Sequence, residues 1–138
     1  MFSLPIRVYW EDTDAGGVVY HAQYVAFLER ARSEWLRAQG HAQDLLRVEQ
    51  GLVFAVRAIT VDFLKPARLD DALSVGVRLH ACRRASLVFD QSIHRDGTLL
   101  LTASVRVAAL DAATFRPRPI PQPLYDQLEA LEHPHRPG

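Results

Sequence analysis

The chain has one cysteine, no net formal charge and no long apolar run. Each of these scarcities excludes something. Cys82 alone cannot form an internal disulfide or a multi-cysteine metal site, and a lone thiol suits a reducing compartment. With Lys+Arg 16 against Asp+Glu 16, no global field draws the chain to nucleic acid or to an anionic membrane, so any anionic ligand must be met by local arginines. No stretch approaches the roughly 18 apolar residues of a membrane span. Pro5 and Arg7 fall where a signal peptide would need an unbroken apolar core. The expectation is a soluble, unprocessed, cytoplasmic protein. Internal repeats, a Gly-x-Ser-x-Gly elbow, a phosphate loop and a dinucleotide glycine fingerprint are also missing from the sequence.

What is present fits one domain. At 138 residues the chain can bury a core without metal or disulfide staples. Ile6, Val8 and Trp10 alternate with Arg7 and Tyr9, which predicts a strand over Pro5–Trp10. Tyr24, Phe27, Leu28, Ala31 and Trp35 recur at helical spacing, with charged residues filling most of the remainder. This predicts a long amphipathic helix ending near Gly40. A short helix over Ala42–Gln50, closed by Gly51, follows. Leu52–Leu64 is β-rich and stops at Lys65-Pro66. Leu73, Val75, Val77 and Leu79 alternate strictly with Ser74, Gly76, Arg78 and His80, the pattern of a half-buried strand. Asp96-Gly97 signals a tight hairpin between Ser86–Arg95 and Thr98–Leu110. After four prolines between 117 and 123, Leu124, Leu128 and Leu131 suggest a short last helix. The domain is expected over 1–131, with 132–138 a disordered tail; His133-Pro134-His135 reads as part of that tail, not as a metal tract.

Short connections favour an antiparallel sheet, and one long helix with a single apolar stripe is most simply buried by curling that sheet around it. The exposed strand edges then call for self-association, at least a homodimer.

The chemistry concentrates in Glu11-Asp12-Thr13-Asp14-Ala15-Gly16-Gly17-Val18-Val19-Tyr20-His21. A carboxylate facing helix N-terminal amides across a glycine turn combines a base or nucleophile with donors for a developing oxyanion, which suits acyl transfer. An aspartate ahead of a helix is also an ordinary cap, and Asp12 reads as a solvated turn residue or a structural hydrogen-bond acceptor in preference to a second acid.

This stretch, with Arg7-Val8-Tyr9-Trp10 before it and with Phe27-Leu28-Glu29-Arg30-Ala31-Arg32, Glu34, Pro66-Ala67-Arg68-Leu69-Asp70-Asp71 and Ser86-Leu87-Val88-Phe89, resembles the hot-dog-fold thioesterases of the hydroxybenzoyl-CoA thioesterase group, particularly the bacterial Tol-Pal-associated acyl-CoA thioesterases. The similarity runs from about Pro5 to Pro121. It implies an α+β hot-dog fold, a five-stranded antiparallel sheet wrapped around one long helix, assembled as a homodimer or homotetramer. It further implies hydrolysis of acyl-CoA thioesters at a dimer interface without metal or redox cofactor. By position, Asp14 matches the family's catalytic carboxylate, and His21 the residue whose backbone N–H polarises the thioester carbonyl. Gln23 departs from the Asn carried by many relatives.

Around that core, Tyr20 and His21 are candidates for side-chain contacts with substrate, or for packing between subunits. Glu29 either lines the same cleft two helical turns on or pairs with Arg32. The phosphates of CoA need positive charge, for which Arg83 and Arg84 come first among Lys65, Arg68, Arg116 and Arg118. Gly17 belongs to the substrate turn, and Ser86 reaches toward a neighbouring subunit's cleft or is a plain strand serine. Phe27, Leu28, Phe54, Val56 and Phe63 are candidate acyl-pocket residues. A His80–Cys82 pair on one strand face is conceivable. Acyl carrier protein is an alternative thioester donor, and a non-catalytic acyl-binding or scaffolding role is the reading of a different class.

Overall fold

The computed structural model describes residues 1–133, and the tail positions 134–138 lie outside the described residues. The helix predicted from the apolar stripe is α1, His21–Ala38. Gly40, at φ +89, lets the chain leave it in the left-handed region. The second helix is α2, Gln43–Gln50, with Gly51 left-handed at its C-terminal cap. Five strands follow the expected order: β1 Phe2–Arg7, β2 Leu52–Phe63, β3 Ala72–Cys82, β4 Ser86–Arg95 and β5 Thr98–Asp111. Helix α3, Gln122–Glu129, comes last.

All strand pairs are antiparallel, in the order β1-β3-β4-β5-β2. Asp96 (φ 49) and Gly97 (φ 81) make the β4–β5 hairpin, the positive-φ pair that such a two-residue turn requires. Register shifts between Val56 and Ala58 on β2, Leu79 and Ala81 on β3, and Ile93 and His94 on β4 bend the sheet. The curved sheet wraps α1, whose Tyr24, Phe27, Leu28, Ala31, Trp35 and Leu36 are buried. Trp35 meets Phe89 edge to face, ring centroids 5.3 Å apart. This is the hot-dog arrangement expected from the sequence.

Three features differ from expectation, two of them boundaries. The first strand runs Phe2–Arg7, not Pro5–Trp10, because the Asp12 carboxylate takes the Tyr9 N–H at 2.8 Å and winds Trp10–Asp12 into a 3-10 turn. Val8 keeps the strand's burial by donating its N–H to the Asp71 carbonyl, whereas Trp10 is left exposed. Within the polar face of β3, Gly76 is buried: a Cβ there would meet the Met1 sulfur at 2.7 Å. At the C-terminus, Glu132 and His133 are docked and do not start a loose tail. The Glu132 carboxylate accepts from the Cys82 N–H at 2.7 Å, and the His133 N–H donates to the Leu79 carbonyl at 2.8 Å.

Candidate active site

The acidic glycine loop is a small framework hung between β1 and α1. Asp12 is buried and both its oxygens are occupied, one by the Tyr9 N–H and the other by the Gln23 amide, each at 2.8 Å. Its carbonyl accepts from the Tyr20 N–H at 2.9 Å. Asp12 therefore fixes the distance between the end of β1 and the start of α1, and Gln23, the departure noted above, is what ties it to the helix.

Asp14 sits in the loop that this framework holds. Its N–H donates to the Val18 carbonyl and its carbonyl accepts from the Gly17 N–H, closing a tight turn that needs Gly17 at φ +78. One carboxylate oxygen accepts from the Gly16 N–H at 2.8 Å, and the other has no hydrogen-bond partner among the described residues. The side chain is exposed. It does not cap α1: no side-chain capping bond is made at the start of this helix, and Tyr20 is the residue before its first turn.

The opposite wall is equally fixed. The Val19 N–H donates to the Ala67 carbonyl at 2.8 Å, and the Ala67 N–H donates to the buried Tyr24 hydroxyl at 2.9 Å. Behind it, the Asp71 carboxylate accepts from Arg95 and from the Arg68 N–H, both at 2.8 Å. Desolvation pushes the Asp71 carboxyl up, but the Arg95 and Arg68 hydrogen bonds and charges together outweigh it and hold the group below its ordinary value.

Asp14, His21, Tyr24, Phe63 and Lys65 line one open cleft of about 340 Å3. The structure thus brings together three residues singled out in the sequence: a carboxylate with a free oxygen, the first residue of a helix, and a lysine at the rim. Tyr20 is exposed beside them, its ring stacked obliquely on His21 at 4.5 Å. A helix N-terminus carries partial positive charge and unmet N–H groups, so this cleft can hold an oxyanion beside an attacking or proton-accepting carboxylate.

Other candidates lie elsewhere. Ser86 pairs with Ala108, while the Phe63 end of the cleft pairs with Leu101. From Leu101 to Ala108 along β5 is about 24 Å at strand rise. Ser86, and Arg83 and Arg84 just before it, are therefore at the far end of the sheet from Asp14 within one protomer. Phe27 and Leu28 are fully buried core residues. Phe54 and Val56 line a different cavity, of about 270 Å3, together with Glu29 and Arg32. Glu29 and Arg32 influence each other through charge, without a close ion pair. The His80–Cys82 pairing fails: a bulge at His80 breaks the alternation, and that ring faces the His133 carbonyl and Asp90. Burial, with Glu132 and Glu129 nearby, pushes the Cys82 thiol up to about 11, so it is no nucleophile at neutral pH.

Sequence reasoning missed Arg32 as a buried group. It is 7% exposed and donates to Gln91, whose amide in turn donates to the Leu28 carbonyl, both at 3.0 Å. The signal was available, since position 32 lies four residues after Leu28 and three before Trp35, inside the apolar stripe.

A model of the thioesterase-like superfamily matches residues 8–128. The chain belongs to the thioesterase-like superfamily. This thioesterase-like chain is 48% identical over 130 residues to the acyl-CoA thioester hydrolase YbgC of Escherichia coli O6:H1, covering 94% of this chain and 96% of that one. It is 44% identical over 121 residues to the acyl-CoA thioesterase YbgC of Haemophilus influenzae, covering 88% and 89%. Among solved structures, a probable thioesterase from Bartonella henselae matches with TM-score 0.83 at 38% identity, over 87% of this chain and 98% of that one. A hypothetical protein from Thermus thermophilus matches with TM-score 0.89 at 29% identity, over 94% and 98%. The matched span takes in the Asp12–His21 loop, α1 and the Pro66–Asp71 turn.

Proposed function

We propose that this thioesterase-like protein hydrolyses acyl-CoA thioesters, with Asp14 as base or nucleophile and the backbone N–H of His21 polarising the thioester carbonyl. The observation that carries this reading is the half-free Asp14 carboxylate in one cleft with the first turn of α1. The naming of the Escherichia coli and Haemophilus influenzae relatives as acyl-CoA thioester hydrolase or thioesterase supports the substrate class.

The carbonyl oxygen is directed at the helix N-terminus and the carbonyl carbon toward Asp14. Either Asp14 attacks that carbon, giving a mixed anhydride as the C–S bond breaks and the CoA thiolate leaves, after which water hydrolyses the anhydride and frees Asp14; or Asp14 takes a proton from a water that attacks the carbon, the C–S bond then breaks, and the proton passes to the departing thiolate. Both routes end in free acid and CoA, and both place negative charge on the same carbonyl oxygen. The Tyr20 ring orients His21 and borders the substrate, Gly17 keeps the turn open, and Lys65 offers positive charge to the CoA phosphates at the rim.

The protein works as pairs joined along β2, in the cytoplasm. Of the two sheet edges, β1 carries Pro5, which has no N–H for a further strand, whereas β2 exposes Val56, Ile59 and Phe63. Ser86, Arg83 and Arg84 serve the cleft from the partner copy, because antiparallel pairing carries the far end of one sheet toward the near end of the other. The test is thiol release from a panel of acyl-CoA and acyl-carrier substrates, with solution size measured alongside. Turnover of acyl-CoA by a dimer or larger species is expected. Absence of release from every acyl-CoA, or cleavage of acyl-carrier substrates alone, contradicts the proposal.

A further inference from the structure

The turn over residues 66–71 supplies none of the groups assigned to the reaction, yet four segments are hydrogen-bonded to it. Val8, just past β1, donates its N–H to the Asp71 carbonyl, and its own carbonyl accepts from the Asp70 N–H, both at 3.0 Å. From the glycine loop, Val19 donates to the Ala67 carbonyl at 2.8 Å and Val18 lies opposite Arg68. From α1, the Tyr24 hydroxyl accepts the Ala67 N–H at 2.9 Å. The fourth contact comes from Arg95, the last residue of β4. Pro66, Val18, Val19 and Tyr24 also line the Asp14 cleft, whereas Arg95 does not.

Arg95 closes this turn across its two ends. One guanidinium nitrogen, Nη1, donates to the Asp71 carboxylate at 2.8 Å and to the Pro66 carbonyl at 3.2 Å. The carboxylate oxygen that receives it, Oδ2, also accepts the Arg68 N–H at 2.8 Å. Between these ends Asp70 sits at φ 68, a left-handed conformation that is unfavourable for a residue with a side chain and persists where its surroundings impose it. The closed turn reaches both halves of the proposed chemistry. Through Val18, whose carbonyl accepts the Asp14 N–H at 2.9 Å, it reaches the carboxylate; through Tyr24 it reaches the first turn of α1. A shift of the turn therefore changes the position of Asp14 relative to the helix amides.

Resting on the acyl-CoA reading of this cleft, we infer that Arg95 is a positioning residue for the hydrolysis: by bridging Pro66 and Asp71 it fixes the turn that sets Asp14 against the start of α1. It touches no reacting group itself. Attack on a thioester carbonyl depends on the approach of the carboxylate and on donors already placed for the oxygen, so a small misplacement lowers kcat. Lys65, at the rim that meets CoA, is tied separately, its N–H donating to the Leu100 carbonyl at 3.1 Å, so KM is kept. A half-exposed ion pair without such a role adds little to stability and nothing to turnover per folded molecule.

The test is thiol release by Arg95→Met from an acyl-CoA that the wild type hydrolyses, at matched folded concentration. A fall in kcat of about five- to twentyfold, with KM within about twofold of wild type, is expected. Arg95→Lys should recover kcat to within about threefold, because one ammonium can serve both acceptors that a single nitrogen of Arg95 serves. If Arg95 acts through Asp71, the double variant Arg95→Met with Asp71→Asn is no slower than Arg95→Met alone. Arg47→Met, which breaks an exposed ion pair on α2 of the same 2.8 Å length, is the control and should keep wild-type kcat. Wild-type kcat in folded Arg95→Met, a loss carried by KM alone, or an equal loss in Arg47→Met would each overturn the inference and leave the thioesterase reading standing. So would multiplied losses in the double variant, or an Arg95→Lys protein as slow as Arg95→Met. Should Arg95→Met not fold, Asp71→Asn alone carries the same comparison of kcat with KM. A wild type that releases thiol from no acyl-CoA brings down the thioesterase reading and this inference with it.

Discussion

Asp12 and Asp14 stand two residues apart in one loop and live in opposite surroundings. Asp12 is 3% exposed and spends both oxygens on the Tyr9 N–H and the Gln23 amide. Asp14 is exposed, and one of its oxygens meets only the cleft. The comparison separates a carboxylate that makes the fold from one that the fold presents. Identical chemistry and near-identical sequence position say nothing of this; the distinction comes from which side chain turns inward once β1 ends and the 3-10 turn begins.

The sharpest way to break the comparison is to measure stability at both positions. Asp12→Ala leaves a buried N–H and an amide without partners and is expected to cost about 2 to 4 kcal/mol in urea unfolding. Asp14→Ala, which removes one exposed turn contact, should cost about 0.5 kcal/mol or less. Equal losses would erase the distinction. Next in size is Gly17→Ala. Nothing lies within 4 Å of an added Cβ, so sterics with neighbours are not at issue, but φ +78 is. A loss of about 1 to 2 kcal/mol is expected, accompanied by slower thiol release because the turn that aims Asp14 relaxes.

The wall opposite Asp14 is sharpened by pH. The Asp71 carboxyl lies below its ordinary value in the folded chain, so its contribution is present above the unfolded value of about 4 and is lost as pH falls through the folded value. Asp71→Asn should therefore be less stable than wild type at neutral pH, by no more than about 1 kcal/mol for this partly exposed pair. That difference should shrink in acid; a difference that grows in acid would reverse the sign. The smallest expected effect is at Cys82. With its thiol pushed up to about 11 by burial, then by Glu132 and Glu129, it should alkylate slowly in the native protein at neutral pH, and Cys82→Ala should leave thiol release within about twofold of wild type.

Much of this architecture could be read from local pattern. The apolar stripe gave α1 and Asp96-Gly97 gave the hairpin, because each depends on residues within a few positions of one another, whereas spacing alone left Asp14 as a helix cap and the family resemblance singled it out. What could not be read depends on which distant segments meet. Arg83, Arg84 and Ser86 follow a strand end, but which end of the sheet that is depends on the order β1-β3-β4-β5-β2, which no local pattern encodes. Phe27 and Leu28 looked like pocket residues and are buried in the core on the inner face of α1. Arg32 looked like surface by residue type although its spacing put it in the stripe, and its burial follows from Gln91, 59 positions away. The end of β1 was placed too late because alternation continues through Val8, while the side chain that stops the strand, Asp12, acts from beyond the turn.

The central claim is that the exposed carboxylate, and not its buried neighbour, carries out the chemistry. Thiol release from acyl-CoA by Asp14→Asn, compared with wild type at matched folded concentration, tests it most directly. A fall of about 100- to 10,000-fold with unchanged thermal unfolding and unchanged size in solution is predicted. Turnover within a few fold of wild type in a folded Asp14→Asn protein would contradict it.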